Sequence, residues 1–428
     1  MANESLIQRR DRALGAGAEL FYENPIEMVR GEGAYLFDRE GRRYVDLYNN
    51  VPCVGHGNPA VARAMAEQQA TLNVHSRYLS EGIVQYAERL ANLNHDGIES
   101  VVFSCSGTEA VEVAIMMARL VTGKQGLVCT DATYHGNSTL VDSMSDLHRK
   151  PTMPHHIHSF PYPDLYRPVE PGVDEETLSQ LTLEHVSKAI DELKSEGSGF
   201  AALIVCSIFA NEGLPDVPPG LMAQIAELCH AEGGLLIADE VQSGYGRTGR
   251  FWGYEKMGFK PDMVVGGKPM GNGLPISAVA TRKDYVDEFR ARKDYFNTCS
   301  ATPLQAAVGL AVLDEIDRMG LVAHAGVVGD YLAAGLRQCI DLYEPIGDVR
   351  GCGLFLSVEM VQDPESKSPD AKATKTLANH LKDRGFLVSH AGKYENVLKI
   401  RPPLVFSQTD ADDFLAAFDD SMKALCGR

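Results

Sequence analysis

Two short apolar runs place the strongest constraint on the fold of this 428-residue chain. The first run, residues 233–238, ends at Asp239, and the second, residues 263–265, is followed by two glycines and Lys268. Short apolar runs bounded by Gly and Pro are typical of buried strands in a sheet flanked by helices. In such open α/β sheets, ligands bind at the carboxyl ends of the strands. We therefore expect Asp239 and Lys268 to lie at the same edge of one sheet.

An acid and an amine at one sheet edge form the pair that pyridoxal phosphate requires. A lysine holds the aldehyde of this cofactor as a Schiff base, and an aspartate keeps the pyridine nitrogen protonated so that the ring accepts electrons. Taken alone, Asp239 could be the cap of a helix, and Lys268 could be a solvated lysine in a loop. Their occurrence together favours the cofactor, and we predict pyridoxal 5'-phosphate.

The order of the apolar patterns along the chain predicts its organisation. Residues from about 27 to 48 alternate apolar and polar side chains, which indicates an antiparallel meander. Over residues 55–310 helical and strand patterns alternate, which indicates a wound, mainly parallel sheet. From residue 311 short strands and helices indicate an α+β unit that the N-terminal meander joins. We predict an α/β chain with an N-terminal segment over 1–54, a large domain over 55–310 and a small α+β domain over 311–428.

Within the large domain, apolar runs between helical patterns predict the individual strands. The predicted strands are residues 100–105, 126–130, 200–208, 234–239, 262–266 and 276–281, with helices over 108–122 and 219–232 among the segments between them.

The sequence Ser106-Gly107-Thr108 follows a predicted strand and opens a predicted helix. Small residues let the backbone approach an anion, and the helix N-terminus supplies unpaired N–H groups and the positive end of the helix dipole. A serine or threonine before a helix is also an ordinary N-cap. In the company of the predicted acid–amine pair, the position favours binding of the cofactor phosphate by Gly107 and Thr108.

Further ring-binding residues are expected at the same edge. Tyr134 and His135 follow the next predicted strand, and Gln242 lies three residues beyond Asp239. An aromatic side chain at this edge stacks readily on a flat ring, although a buried core tyrosine would show the same pattern. Gln242 is placed to donate to the phenolate oxygen of the cofactor, and Val241 to pack on the opposite face of the ring.

These motifs together resemble the class III (subgroup II) aminotransferases, which are pyridoxal-phosphate enzymes of fold type I. The motifs are SGTEA at 106–110, TYHG at 133–136, ADEVQSGYGRTG at 238–249, GGKPMGNGLP at 266–275 and the loop around Thr298. The resemblance implies the fold-type-I transferase fold, a large domain with a small domain formed by both termini, and a homodimer. It implies that Lys268 is the Schiff-base lysine and proton carrier, with Asp239 paired to the pyridine nitrogen. It also implies that Thr298 reaches the phosphate bound by the neighbouring subunit.

Departures from the family pattern bear on the substrate. Cys206 and Asn211 stand where the family often has carboxylates, and Lys399 stands where it commonly has the arginine that grips an α-carboxylate, with Arg401 two residues further on. Arg77 is a candidate second anion anchor, although a surface salt bridge would also explain it. Four segments are closest to the branch that holds alanine–glyoxylate aminotransferase 2-like proteins and amino-alcohol-phosphate phospholyases: residues 49–51, 73–79, 268–273 and 398–403. The candidate substrate residues are therefore Arg77, Lys399 and Arg401.

The chemistry has a favoured form and alternatives. We predict an aminotransferase that moves an amino group from a primary amine or amino acid to a keto acid such as pyruvate or glyoxylate. The alternative is a lyase, either a phospholyase or an ammonia-lyase, that acts on a β-substituted amine such as an amino-alcohol phosphate. Both reactions use Lys268 to remove a proton. A non-catalytic relative is disfavoured because Lys268 and Asp239 are both retained.

The composition limits which binding partners and which cellular compartment we expect. The formal charge of −18 disfavours a sequence-independent grip on nucleic acid, and the chain has no run of 18 apolar residues and no signal-peptide pattern. Nine dispersed cysteines without a CxxC motif indicate reduced thiols and a cytoplasmic setting. The cluster His155, His156 and His158 has no cysteine or acid at ligand spacing, so we predict no metal. The predicted partners are small-molecule amines and keto acids and a second copy of the chain, with no nucleic acid and no membrane.

Overall fold

A computed structural model describes residues 5–145 and 156–427 of the chain. In chain order the strands are β1 Met28–Glu32, β2 Tyr35–Asp38, β3 Arg43–Asp46, β4 Ser100–Ser104, β5 Gly126–Thr130, β6 Ile157–Phe160, β7 Phe200–Cys206, β8 Leu235–Asp239, β9 Met263–Gly266, β10 Ser277–Thr281, β11 Ile346–Cys352, β12 Phe355–Met360, β13 Phe386–Leu387, β14 Ser389–Ala391 and β15 Val397–Ile400. The helices are α1 Leu6–Leu14, α2 Pro59–Thr71, α3 Glu81–Asn92, α4 Gly107–Thr122, α5 Thr139–Asp142, α6 Glu175–Ser195, α7 Leu221–Ala231, α8 Gly253–Met257, α9 Lys283–Arg292, α10 Pro303–Arg318, α11 Leu321–Gln338, α12 Ala371–Asp383 and α13 Gln408–Leu425.

The largest sheet has seven strands in the order β4-β10-β9-β8-β7-β5-β6. Its members from β9 to β6 run parallel, whereas β10 is antiparallel to both β4 and β9. Strands β5, β7, β8 and β9 are buried along their whole length. Strands covered on both faces are continuous apolar runs in sequence, which is why these four were predictable. The predicted wound, mainly parallel sheet is therefore confirmed.

Strand β6 was absent from the sequence prediction. It has only four residues, and two of them are the polar side chains His158 and Ser159. Backbone pairing with β5 along the whole strand defines β6, with Leu127 opposite Ile157 and Thr130 opposite Phe160. His158 contacts Glu192 of α6 and Glu196, the residue that follows this helix, at 3.1 Å each. His155 of the histidine cluster lies outside the described residues.

Helix α4 packs against the middle of the large sheet and carries the predicted phosphate-binding turn at its start. The side chain of Ser106 caps it by accepting a hydrogen bond from the backbone N–H of Glu109 at 3.2 Å, and Gly123 ends it in the left-handed conformation. Seven of its residues, several of them alanines, are fully buried. A helix that is apolar on most of its circumference is buried in the protein interior. Packing on several sides therefore fixes the position of α4 below the sheet edge.

Two smaller sheets are built from strands near the two ends of the chain. Their orders are β1-β2-β3-β13 and β11-β12-β15-β14. The pairing of β3 with β13, which sets Val45 opposite Phe386, puts both ends of the chain into one sheet. A small α+β part formed by both termini is therefore present, and the boundaries at residues 54 and 310 stay predictions.

One loop connects the large sheet to the sheet that contains β15. It runs from Cys206 at the end of β7 to Gly213, whose φ is +112°. A Cβ atom on Gly213 would lie 3.1 Å from Cγ2 of Val397, so the glycine lets the loop pass close over β15. Arg350 adds a hydrogen bond from Nη2 to the carbonyl oxygen of Gly213 at 3.3 Å. The end of β7 and the face of β15 are thereby held together around one cleft.

None of the described helices alone is long and apolar enough to cross a membrane. By length and composition only, the pair α10 and α11 would pass the same test, although the two helices are bent by 58° at their junction.

Candidate active site

Two adjoining cavities open at the carboxyl ends of β7, β8 and β9. The inner cavity has a volume of about 100 Å³ and the outer cavity about 290 Å³. Four residues line both: Tyr134, Asn211, Gln242 and Lys268. The strand register explains the location, because Cys206 lies opposite Asp239 and Asp239 opposite Val265. Three successive strands thus end at the same edge, where ligands bind in open α/β sheets.

Asp239 is fixed at this edge by two hydrogen bonds. Its Oδ1 atom accepts from the backbone N–H of Val241 at 3.0 Å, and its Oδ2 atom lies 2.7 Å from Nδ1 of His135. Nε2 of His135 lies 2.8 Å from the hydroxyl of Thr133. Asp239 and His135 are buried and both line the inner cavity. A carboxylate held in this way presents its remaining lone pairs to the cavity in a single orientation.

Lys268 follows β9 and lines both cavities. Among the described residues its Nζ atom has no hydrogen bond or ion pair, so the amine is available. Burial lowers the pKa of Lys268, the positive charge of Arg401 lowers it further, and the carboxylate of Asp239 opposes both. A larger neutral fraction makes the amine a better nucleophile and base.

Glycines bring the loops around the inner cavity into close contact. A Cβ atom on either Gly107 or Gly267 would lie 3.1 Å from the Cγ atoms of Val241. Gly136 has a φ of +144°, and a Cβ atom there would lie 2.5 Å from Oγ1 of Thr108. No other residue type fits these positions without displacing the loops. The result is a narrow cradle at the N-terminus of α4, a place suited to a phosphate.

The side chains over the inner cavity are connected by hydrogen bonds. The amide nitrogen of Gln242 donates to Oδ1 of Asn211 at 3.0 Å, and Nδ2 of Asn211 donates to the carbonyl oxygen of Tyr134 at 3.0 Å. The amide oxygen of Gln242 accepts from Nη1 of Arg401. Gln242 therefore orients both Asn211 and Arg401, in addition to lying where the sequence placed it.

Lys399 and Arg401 lie together at the outer cavity, and both are buried. The guanidinium carbon of Arg401 is 4.4 Å from the ring centroid of Tyr48, and Nζ of Lys399 is 5.6 Å from that of Phe355. Burial, and then the charge of Arg401, lower the pKa of Lys399 well below its ordinary value. Burial also lowers the pKa of Arg401, against the opposing influence of Tyr48. The outer cavity thus contains two buried basic side chains, and Glu19 and Glu395 also line it.

Three predicted site residues do not line these cavities within one chain. Arg77 stacks on Phe296, with its guanidinium carbon 4.2 Å from the ring centroid, and lines a separate surface cavity. Thr298 is exposed, and Ser106 acts as the cap of α4. The contact expected of Thr298 is with a second subunit, and the roles of Arg77 and Thr298 stay predictions.

Glu212 lies directly behind the cavity residue Asn211, and it was not identified from the sequence. Its buried carboxylate accepts hydrogen bonds from the hydroxyl of Thr130 and, at 3.1 Å, from the backbone N–H of Asn211. Burial raises the pKa of Glu212, while Thr130 lowers it in part. A carboxylate within an apolar segment directly after β7 was the available signal, because that strand end belongs to the same sheet edge.

Comparison with known proteins agrees with this geometry. Residues 20–422 match the family described as "Aminotransferase class-III". Over 435 residues the chain is 35% identical to "Alanine–glyoxylate aminotransferase 2-like" of Drosophila melanogaster, covering 99% of this chain and 88% of that protein. It is 32% identical to "Ethanolamine-phosphate phospho-lyase homolog 1" of Caenorhabditis elegans, covering 98% and 93%. The structure of a phospholyase from Arthrobacter in complex with phosphoethanolamine has a TM-score of 0.95 at 39% identity, covering 98% of this chain and all of that one.

The fold and the site define a pyridoxal-phosphate enzyme of fold type I. The chain belongs to the class-III aminotransferase family. Its cofactor is pyridoxal 5'-phosphate, which when bound withdraws electrons from the bonds of the substrate carbon that carries the amino group. The inner cavity fits this group on its own chemistry, because it combines an unpaired amine, a fixed carboxylate and a glycine-lined helix N-terminus.

Proposed function

We propose that this protein is a pyridoxal-phosphate-dependent lyase that eliminates phosphate from a small amino-alcohol phosphate. The observation that carries the proposal is the pair of buried basic side chains, Lys399 and Arg401, at the outer cavity beside Lys268. No carboxylate among the described residues is hydrogen-bonded to either cation. An anion bound between them would stabilise the charged forms that burial disfavours, so the pair favours an anionic ligand. Two cations suit a phosphate dianion better than a single carboxylate.

The fixed position of Arg401 favours a reaction in which every substrate molecule carries an anionic group. Gln242 accepts its hydrogen bond, and Tyr48 stacks beneath it. An aminotransferase that alternates between two dissimilar substrates needs a cationic site that opens and closes, whereas a lyase needs a permanent one. The similarity to a phospholyase in complex with phosphoethanolamine points the same way.

The proposed reaction converts ethanolamine phosphate and water into acetaldehyde, ammonia and inorganic phosphate. Lys268 Nζ holds the cofactor and then takes the proton from the carbon that bears the amino group. Asp239, oriented by His135, keeps the pyridine nitrogen protonated. Lys399 and Arg401 bind the phosphate, with Arg401 supplying the planar donor set suited to it.

Transamination is the second candidate, and the 35% identity to an alanine–glyoxylate aminotransferase 2-like protein favours it. The same inner cavity would serve, and Lys399 or Arg401 would bind a carboxylate. Without carboxylates at positions 206 and 211 to shield an arginine, pyruvate or glyoxylate would then be a better acceptor than 2-oxoglutarate.

One product assay separates the two reactions. Purified enzyme is incubated with ethanolamine phosphate, β-alanine, γ-aminobutyrate or alanine, each with and without pyruvate. The lyase releases phosphate and ammonia from ethanolamine phosphate without any keto acid. Formation of alanine from pyruvate, with no phosphate release, would establish transamination and reject the lyase.

We further propose a homodimer in a cytoplasmic setting. Thr298 is exposed near an exposed apolar segment that contains Tyr78 and Leu79, and a second copy covering this surface would bring Thr298 and Arg77 to its neighbour's site. No disulfide joins the nine cysteines in the described part of the chain, which supports a reducing compartment.

A further inference from the structure

We propose that Nζ of Lys399 donates the proton that the phosphate group needs as it departs. The inference rests on the proposed lyase reaction and assigns to Lys399 a catalytic task beyond binding the anion. It is carried by the position of this lysine in the outer cavity and by the polar groups that surround it.

Lys399 lies in a row of three polar side chains across the sheet β11-β12-β15-β14. The register sets Ser357 of β12 opposite Lys399 on one side and Ser389 of β14 opposite it on the other. Directly opposed residues point to the same face, with Cβ atoms about 4.5–5.5 Å apart. Ser389 lines the outer cavity, and the buried hydroxyl of Ser357 has no hydrogen-bond partner among the described residues. A buried hydroxyl without a partner beside a buried amine is unusual in a purely structural core.

The charges that face Lys399 come from three directions. Arg401 follows it on the same chain segment, and Lys268 faces it from beyond the end of β9. Cys206 faces it from the last position of β7, and Glu212 from the loop that follows. The two cations and burial favour the neutral amine, and Glu212 and Cys206 oppose them. Since burial also raises the pKa of Glu212, its counter-charge is weakened. In the absence of an anion, Lys399 therefore holds its proton less firmly than an ordinary lysine.

A phosphate dianion in the outer cavity changes which form of Lys399 is favoured. It favours the ammonium form, so its binding draws a proton onto Nζ of Lys399. When Lys268 removes the proton from the carbon bearing the amino group, the bond between the adjacent carbon and the phosphate oxygen breaks. The electron pair of that bond leaves with the oxygen, and the proton of Lys399 passes to it. The departing group is then hydrogen phosphate rather than the far more basic trianion, and Lys399 returns to its neutral form.

The neighbouring groups are less suited to this task. The guanidinium of Arg401 does not release a proton in proteins, and it is already bound to Gln242. Lys268 is occupied with the proton from carbon. Both carboxylate oxygens of Glu212 are occupied by Thr130 and Asn211, and Glu212 does not line the outer cavity.

The first test compares two leaving groups. Lys399→Met and Lys399→Arg are assayed with ethanolamine phosphate and with 2-aminoethyl sulfate, whose leaving group needs no proton, and the exposed Lys372→Met serves as control. General acid catalysis contributes about 10²- to 10⁴-fold, so both Lys399 variants should lose about that much in kcat on the phosphate ester and far less on the sulfate ester. An equal loss in kcat on both esters, or a change in KM alone, would show that Lys399 only binds the anion. If the wild type releases no phosphate, the proposed lyase function itself fails, and this inference falls with it.

The second test does not use turnover. Calorimetric titration of the holoenzyme with inorganic sulfate in buffers of different ionisation enthalpy measures the protons taken up per anion bound. Sulfate does not itself titrate near neutral pH. We expect the wild type at pH 8 to take up a substantial fraction of one proton and Lys399→Arg to take up much less. Absence of proton uptake by the wild type would mean that Lys399 is already charged, and this would overturn the proposal.

Discussion

Nδ1 of His135 lies 2.7 Å from Oδ2 of Asp239, although the two residues are 104 positions apart in sequence. The other ring nitrogen of His135 lies 2.8 Å from the hydroxyl of Thr133. A hydroxyl on Nε2 and a carboxylate on Nδ1 favour the tautomer with its proton on Nδ1 and hold the ring in one orientation. The imidazole thus serves to orient the carboxylate that we expect to face the pyridine nitrogen.

Replacing His135 with Asn should reduce turnover more than it reduces cofactor occupancy. Residues that orient metal ligands contribute about 10- to 100-fold to activity, and by analogy we expect kcat to fall by a factor in this range. Asp239→Asn should fall further, because its role is electronic. Both quantities can be measured from the cofactor absorbance and a product assay. Thr133→Ser, which keeps the hydroxyl, is the matched control. Unchanged turnover in Asp239→Asn would exclude this residue from the site.

Lys268 should carry the cofactor. Borohydride reduction of the yellow enzyme should fix a pyridoxyl group on Lys268, detectable by peptide mass spectrometry. Lys268→Ala should still bind pyridoxal phosphate through its other contacts and should lose turnover, because nucleophile and base are one amine. A label on a different lysine would refute the assignment.

Mixed dimers should test the proposed role of Thr298. Lys268→Ala and Thr298→Ala subunits, each of low activity alone, would form hybrids with one intact site in two. Random mixing should restore about a quarter of wild-type activity if each site draws on both subunits of a symmetric dimer. Sedimentation of the mixture checks that hybrids form. No recovery, or an active monomer, would contradict the shared site.

Gly136→Ala should destabilise the protein more than Gly172→Ala does. Both glycines have positive φ values, but a Cβ atom at 136 would lie 2.5 Å from Oγ1 of Thr108, whereas nothing lies within 4 Å at 172. Backbone strain of about 1–3 kcal/mol applies to both substitutions, and the clash is added only at 136. Thermal unfolding measures the difference, and cofactor affinity should fall only in Gly136→Ala. Equal melting temperatures would mean that the loops separate at little cost.

Lys399 should make the folding stability of the protein increase as the pH rises toward the ordinary lysine pKa. Its pKa is lowered in the folded state, so between that lowered pKa and the ordinary lysine pKa the unfolded chain binds up to one more proton than the folded chain. Stability then rises with pH until the unfolded lysine also loses its proton. Lys399→Met removes this term, so it should raise the melting temperature at pH 7, with a gain that shrinks toward pH 10. The control Lys372→Met should show no such trend, and a gain independent of pH would indicate better packing instead.

The sequence by itself determined most of the large sheet and the sheet edge at which the candidate site lies. Strands such as β7, β8 and β9 are covered on both faces, so each is an uninterrupted apolar run that needs no knowledge of its neighbours. The edge that holds Asp239 and Lys268 followed from the same property, because the residue after a buried strand is placed by the strand itself. Strand β6 was not predicted because its four residues do not form an uninterrupted apolar run.

Only the tertiary structure decided how the side chains around the cofactor site combine. The bridge from Arg401 to Gln242 joins residues 159 positions apart, and the bond from Thr130 to Glu212 spans 82. The alignment of Lys399 with Ser357 and Ser389 depends on the register of three strands. Such contacts arise from packing between distant segments, and no local spacing in the chain encodes them. The burial that alters the pKa of Lys399 likewise exists only once the two sheets have closed over one cleft.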